Sequence, residues 1–168
     1  MPRTIFLVGF MGAGKTTFGK KLAKKLQLEF IDLDDAVCAA YIYPSVTALV
    51  GEKGIEFFRE VESKTLREIN LTDKVVSTGG GTPCYYDSMA WMKEHGTVIY
   101  LYLDEKTLYN RLRQSDMDER PLLKGLDDEG LQQFIHDKLT ERLPFYTQAH
   151  ISFNPLKGKV EELVATLQ

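Results

Sequence analysis

The chain has 168 residues, a net charge of −3 and 43% hydrophobic residues. That is one domain of ordinary size, able to bury about two thirds of its unfolded surface. The charge gives no general attraction to nucleic acid, and no apolar run approaches the roughly 18 residues of a membrane span. Cys38 and Cys84 lie far apart without metal-ligand spacing, and His95, His136 and His150 are scattered. Two reduced packing thiols and surface or capping histidines are therefore expected, rather than a disulfide, a zinc site or histidine catalysis. The opening "MPRTIFLVGF" runs straight into a glycine-rich turn and reads as a strand, not a signal peptide. A cytoplasmic monomer with no nucleic-acid or membrane partner is the expectation, as a single domain over 1–168.

Short runs rich in β-branched residues alternate with segments of helical period, which predicts an α/β protein with a parallel sheet covered on both faces. Strands are predicted at 4–8, 29–32, 74–77, 97–103 and 151–153. Helices are predicted at about 15–26, 33–42, 45–50, 55–70, 86–95, 105–114, 128–149 and 157–167. Asp104 reads as an N-cap, and Leu131, Phe134, Ile135, Leu139, Leu143 and Tyr146 recur at core-facing helical spacing. Pro144 is expected to bend that helix or relax its hydrogen-bond ladder. The stretch "SDMDERPLLKGL" at 115–126 has charges, Pro121, Gly125 and no helical apolar period, so a mobile loop is expected there.

The first strand leads into "GFMGAGKTT" at 9–17, which fits the P-loop pattern of glycine, four residues, then Gly14, Lys15 and Thr16. Such a turn aims backbone N–H groups inward at the positive end of a helix, a nest suited to polyphosphate. Lys15 can then reach the β and γ phosphates, and the Thr16 hydroxyl can ligate Mg²⁺. "FIDLDD" at 30–35 places Asp32 and Asp34 two apart, on one face if the strand continues through both. One carboxylate can serve Mg²⁺ and the other the proton of an acceptor hydroxyl, and a pair that merely caps the next helix is the plainer alternative. In "FFREVE" at 57–62, Arg59 has Glu56 and Glu62 three residues to either side, the pattern of a solvated helix arginine. "STGGGT" at 77–82 lets backbone approach a ligand closely after the third strand, and Arg120 in the loop could swing over a transferring phosphoryl group. Ligands in an open α/β sheet sit at the carboxyl ends of strands, so these loops should line one crevice.

Taken together, "GFMGAGKTT", "FIDLDD", "FFREVE", "STGGGT", "RPLL" at 120–123 and "ERLPFYTQAH" at 141–150 make the chain resemble the shikimate kinase family over essentially its full length. The resemblance implies a three-layer α/β/α, P-loop fold of the nucleoside monophosphate kinase type, with a five-stranded parallel sheet in the order 2-3-1-4-5. It implies Mg²⁺-dependent transfer of the ATP γ-phosphate to the 3-hydroxyl of shikimate. By the same resemblance Gly12, Ala13, Gly14, Lys15, Thr16 and Thr17 match the phosphate-binding positions, and Thr16 and Asp32 the metal positions. Asp34, Arg59, Gly79, Gly80, Gly81 and Arg142 match the shikimate positions, within a substrate-binding helical segment at about 33–60. Arg120 matches the arginine of a lid at about 115–126, and Lys15, Asp34 and Arg120 the catalytic positions. Arg113 and the Asn154-Pro155 turn match the adenine side. "PCYYDSMAWM", after the glycines, lacks the basic residue expected there. Phosphorylation of another small hydroxyl compound, such as gluconate or a nucleotide, uses the same scaffold, and a catalytically silent ligand sensor is a reading of another class. No Asn-Lys-x-Asp segment supports a GTPase switch.

Overall fold

The computed structural model describes residues 3–168, so the first two residues of the predicted N-terminal stretch lie outside the described residues. Five strands, β1 (Thr4–Val8), β2 (Glu29–Asp32), β3 (Lys74–Ser77), β4 (Thr97–Leu101) and β5 (Ile151–Phe153), form one parallel sheet in the order β2-β3-β1-β4-β5. Every strand pairing among the described residues is parallel, with Phe6 opposite Val76 on one side and Val98 on the other. Among the described residues there are eight α-helices: α1 (Lys15–Leu26), α2 (Leu33–Tyr41), α3 (Val46–Lys53), α4 (Ile55–Glu68), α5 (Ser88–His95), α6 (Glu105–Arg113), α7 (Asp128–Tyr146) and α8 (Val160–Leu167).

The central strand β1 is buried along its whole length, and its side chains alternate between two cores, as a strand period of two requires. Ile5 and Leu7 join Phe18 and Leu22 of α1 and Leu163 of α8 on one face. Phe6 and Val8 join Leu33, Phe58, Met92, Leu108 and Ile135 of the helices on the other. The carboxyl ends of β1, β2 and β3 consequently open on the same side, next to the starts of α1 and α2.

Several predicted boundaries move. β4 ends at Leu101 rather than 103, and α7 ends at Tyr146 rather than 149, with Pro144 inside its last turn. Proline removes one ladder donor and crowds the preceding turn, and the helix ends two residues after it. Leu143, expected in the core, is 41% exposed, while Leu131, Ile135 and Tyr146 are buried as predicted. Asp104 caps α6 by accepting from the Thr107 N–H at 2.7 Å. The loop at 115–126 is more ordered in its packing than its composition suggested. It contains a short 3₁₀ turn (Met117–Glu119), and Leu123 is fully buried in the core while Met117 and Leu126 pack against it.

Candidate active site

Gly14 ends the first loop in the left-handed region, at φ 88°, where a side chain would be strained, and begins α1 without a capping side chain or any acidic residue in the first turn. The helix N-terminus thus presents its own N–H groups and positive dipole end to the crevice. Lys15 is buried, and its ammonium donates to the carbonyls of Gly9 (2.7 Å) and Phe10 (3.0 Å). Burial outweighs the attraction of Asp34 and lowers the Lys15 pKa to about 7, with Arg142 and Arg120 adding repulsion.

The expectation that Asp32 and Asp34 share a strand face is corrected. β2 stops at Asp32, whose Oδ1 accepts from the N–H groups of Asp34 (2.9 Å) and Asp35 (3.3 Å) and so caps α2. A strand cannot continue once the carboxylate has turned the next two N–H groups toward itself. Its other oxygen, Oδ2, accepts from the Thr16 hydroxyl at 3.0 Å, so Asp32 both caps a helix and stands beside the P-loop threonine. Asp34 lies in the first turn of α2, half-buried, with Oδ1 sealed from solvent and without a hydrogen-bond partner in the protein. Burial first, and then the negative charges of Glu62 and Asp32, raise its pKa to about 7.

Arg59 is not the solvated helix arginine that its flanking glutamates suggested. It is 8% exposed, and its guanidinium bonds Glu62 Oε1 at 3.2 Å. Its Cζ lies 5.4 Å from the ring centroid of Phe58 and 4.8 Å from that of Tyr85. Two aromatic faces and one carboxylate hold its plane. Tyr85 belongs to the segment that lacks the expected basic residue, and it contributes an aromatic face to the arginine instead. Glu62, which the sequence reading treated only as a helix neighbour, is the hub of this corner. It is 1% exposed, its second oxygen accepts from the Thr82 hydroxyl at 2.8 Å, and burial raises its pKa despite Arg59. The signal for it was present in the three-residue spacing to Arg59.

The glycine stretch after β3 packs directly on these groups. A Cβ on Gly81 would lie 2.4 Å from an Arg59 guanidinium nitrogen, and one on Gly80 would lie 2.9 Å from Arg142 NH1. No side chain fits at Gly81 without evicting the arginine. Arg142, 3% exposed, comes from α7 and rests over the Phe10 ring at 5.6 Å. Tyr146, one turn later, donates to the Gly80 carbonyl at 2.6 Å and fixes the glycine loop against α7.

These groups line one cavity of about 380 Å³, within the range of small-ligand sites. Gly12, Gly14, Lys15, Thr16, Thr17 and Asp32 form one end, and Asp34, Arg59, Gly79, Gly80, Gly81 and Arg142 the other. Glu119, Arg120, Pro121 and Leu122 overhang it from the loop at 115–126, and the Thr47 hydroxyl of α3 donates to the Glu119 carbonyl, so that loop and helix touch across the opening. Ala13 is buried in the loop behind the cavity wall. Three predicted residues lie elsewhere. Arg113 is exposed and pairs with Asp128 at 3.4 Å, while Asn154 folds its own turn by accepting from the N–H groups of Leu156 and Lys157, and Pro155 follows it outside the cavity lining. Among the described residues, no three His, Cys, Asp or Glu side chains converge as a metal cage, and no single helix is long and apolar enough to cross a membrane.

Known proteins resemble the chain over nearly its whole length. A family model described as shikimate kinase matches residues 11–167. A shikimate kinase of Parabacteroides distasonis is 45% identical over 160 residues, covering 95% of this chain and 91% of the relative. The crystal structure of shikimate kinase from Bacteroides thetaiotaomicron superposes with a TM-score of 0.88 at 42% identity, covering 100% of this chain and 97% of that one. Shikimate kinase from Acinetobacter baumannii, solved in complex with shikimate, gives 0.86 at 31% identity, covering 99% and 90%.

Proposed function

The chain belongs to the shikimate kinase family, and from that premise we propose how its own residues divide the work. The reaction is ATP-dependent phosphorylation of the 3-hydroxyl of shikimate, giving 3-phosphoshikimate and ADP, a step toward chorismate and the aromatic amino acids. One observation carries the assignment of the acceptor end. Asp34, Arg59 and Arg142 all line the same cavity, and Asp34 Oδ1, Arg59 Nε and Arg142 NH1 are buried without a hydrogen-bond partner in the protein. Buried polar atoms of this kind call for a ligand that satisfies them. One acceptor and two guanidinium donors match a molecule that offers both a hydroxyl and a carboxylate. Release of ADP measured with shikimate, gluconate and nucleoside monophosphates tests this: turnover with shikimate alone is expected, and preference for a nucleoside monophosphate would overturn it.

In this reading Gly12, Gly14, Lys15, Thr16 and Thr17 hold the phosphates of ATP, Ala13 closes the turn behind them by donating its N–H to the Phe10 carbonyl, and Arg113, Asn154 and Pro155 flank the nucleotide from the carboxyl ends of α6 and β5. The Thr16 hydroxyl and Asp32 Oδ2, 3.0 Å apart, suit Mg²⁺, which takes few protein oxygens and completes its shell with water and phosphate. Held there, Mg²⁺ would supply positive charge against the phosphates. Lys15 and Arg120 face the same charge from the protein side, and Asp34 accepts from the acceptor hydroxyl. We place the protein in the cytoplasm as a monomer without nucleic-acid or membrane partners. The net charge of −3 supports the first exclusion, and sedimentation over a range of concentrations tests the monomer.

The two arginines clamp the carboxylate of shikimate. Arginine offers two parallel donors where lysine offers one point charge, so Arg59→Lys and Arg142→Lys should each already weaken binding. Removing one member of a buried charged pair costs roughly 2 to 5 kcal/mol. Calorimetry is expected to show that loss for shikimate and little change for ATP measured alone. The double variant should lose less than the sum if both arginines act on one carboxylate. Near-parental shikimate affinity in both single variants would remove the clamp.

The segment at 115–126 acts as a lid. Leu123 anchors it in the core and Thr47 holds it at Glu119, so motion is confined to the span around Arg120. Hydrogen exchange through this segment is expected to slow when an ATP analogue and shikimate are bound together. Unchanged exchange would reject closure.

A further inference from the structure

The first loop is supported from outside the cavity by a residue that the motifs do not mark. Arg111, in the last turn of α6, donates from NH1 to the Gly12 carbonyl at 3.0 Å. The same nitrogen sits behind Gly14, where an added Cβ would meet it at 3.2 Å, and the next residue, Leu112, is fully buried with its side chain against Gly12. Arg111 does not line the cavity. Its helix neighbour Arg113 is paired with Asp128, but Arg111 has no carboxylate partner among the described residues. The peptide that joins Gly12 to Ala13 is thereby held at both ends, because its carbonyl accepts from Arg111 and its N–H donates to the Phe10 carbonyl at 3.1 Å. That Phe10 carbonyl also accepts from Lys15, so one peptide links Arg111 to the buried ammonium.

We propose that Arg111 is a positioning residue for the nucleotide phosphates: it fixes the Gly12–Ala13 peptide plane and places an unpaired positive charge behind the loop. The assignment rests on the reading of 9–17 as the seat of those phosphates. A loop free to rotate this peptide loses the inward aim of its N–H groups, and ordering it again on binding weakens affinity. A half-buried guanidinium without a counter-charge acts on a polyphosphate through the thin wall of the loop, where the field is less screened than across water.

The test is calorimetric binding of Mg-ADP, and separately of shikimate, to the parent, Arg111→Met and Arg111→Lys, with steady-state kinetics on the same proteins. For Arg111→Met, the ADP dissociation constant and the ATP KM are expected to rise about tenfold, as a charged hydrogen bond of this kind implies. The kcat should change by less than about threefold, the mark of lost ground-state binding. Arg111→Lys, which keeps charge and a donor, should recover part of the loss, and shikimate affinity should stay at the parental value in both. Arg111→Gln, uncharged and polar-ended, replaces the methionine variant if that one does not fold. ADP affinity unchanged in the uncharged variant overturns the proposal. So does a parallel loss of shikimate affinity, which would mean general damage to the fold, or a lysine variant no better than the uncharged one. If the parent itself binds no ADP, the reading of the loop fails before Arg111 is tested.

Discussion

Asp34→Asn is expected to lower kcat by about 10² to 10⁴, the usual worth of a positioned general base, while leaving the shape of the site intact. The carboxylate is suited to that work by conflict between its surroundings. As a residue of the first turn of α2 it lies where a helix dipole favours negative charge, yet burial and the charges of Glu62 and Asp32 prevail and raise its pKa to about 7. A raised value means that the carboxyl is protonated, and unable to accept, below about pH 7. The parental kcat/KM, which reports the free enzyme, should therefore fall as pH falls through that value, and Asp34→Asn should lose this acid limb along with most of its rate. If the variant keeps the limb, another group is the base. If its deficit disappears at high Mg²⁺, Asp34 belongs to the metal.

Lys15→Ala is the second large loss, about 10² to 10³ in kcat with a much smaller change in ATP affinity. Negative charge moves toward the leaving oxygen as the phosphoryl group departs, and an ammonium held beside that oxygen favours the transition state over the ground state. In the protein without nucleotide, this ammonium is satisfied by two carbonyls and its pKa is lowered to about 7 by burial. That lowered value weakens its hold on the proton at pH 8, and the arrival of phosphate charge should strengthen it. Binding of ADP at pH 8, measured by calorimetry in two buffers of different ionisation enthalpy, should show proton uptake that is absent in Lys15→Ala. Equal kcat in variant and parent would remove Lys15 from the chemistry.

The sheet was readable because each strand is a short apolar run between glycine, proline or charged punctuation, and all five were located to within two residues at either end. Less readable was whatever depended on a partner distant in sequence. Arg59 looked solvated because the face of α4 that carries it is buried by Gly81 and Tyr85, which lie more than twenty residues away. The 115–126 stretch shows no helical period, yet one leucine within it, Leu123, is enough to pin it to the core. Asp32 and Asp34 were assigned to one face by strand spacing, whereas the capping bonds of Asp32 change the period from two to 3.6 at that residue. Arg111 and Arg113 illustrate the same limit. Both sit in the last turn of α6, and only the packing of Leu112 on the loop shows which of them faces Gly12.

The helices α2, α3 and α4 all lie in one crossover, between strands that are neighbours in the sheet. For a lineage of such proteins this makes 33–68 a single exchangeable passage. One recombination event can replace it, and a change in its length costs little, since doubling a connection adds only about 0.6 kcal/mol of closure entropy. The passage must keep Leu33, Val37, Leu49, Phe58, Val61 and Leu66, or equivalents, because they complete the core on that face. Arg142 and the glycines at 79–81 belong to the frame and stay behind. A descendant that inherits the frame with a foreign passage therefore also inherits a guanidinium facing its new acceptor. Descent by this route should favour acceptors that carry an anionic group.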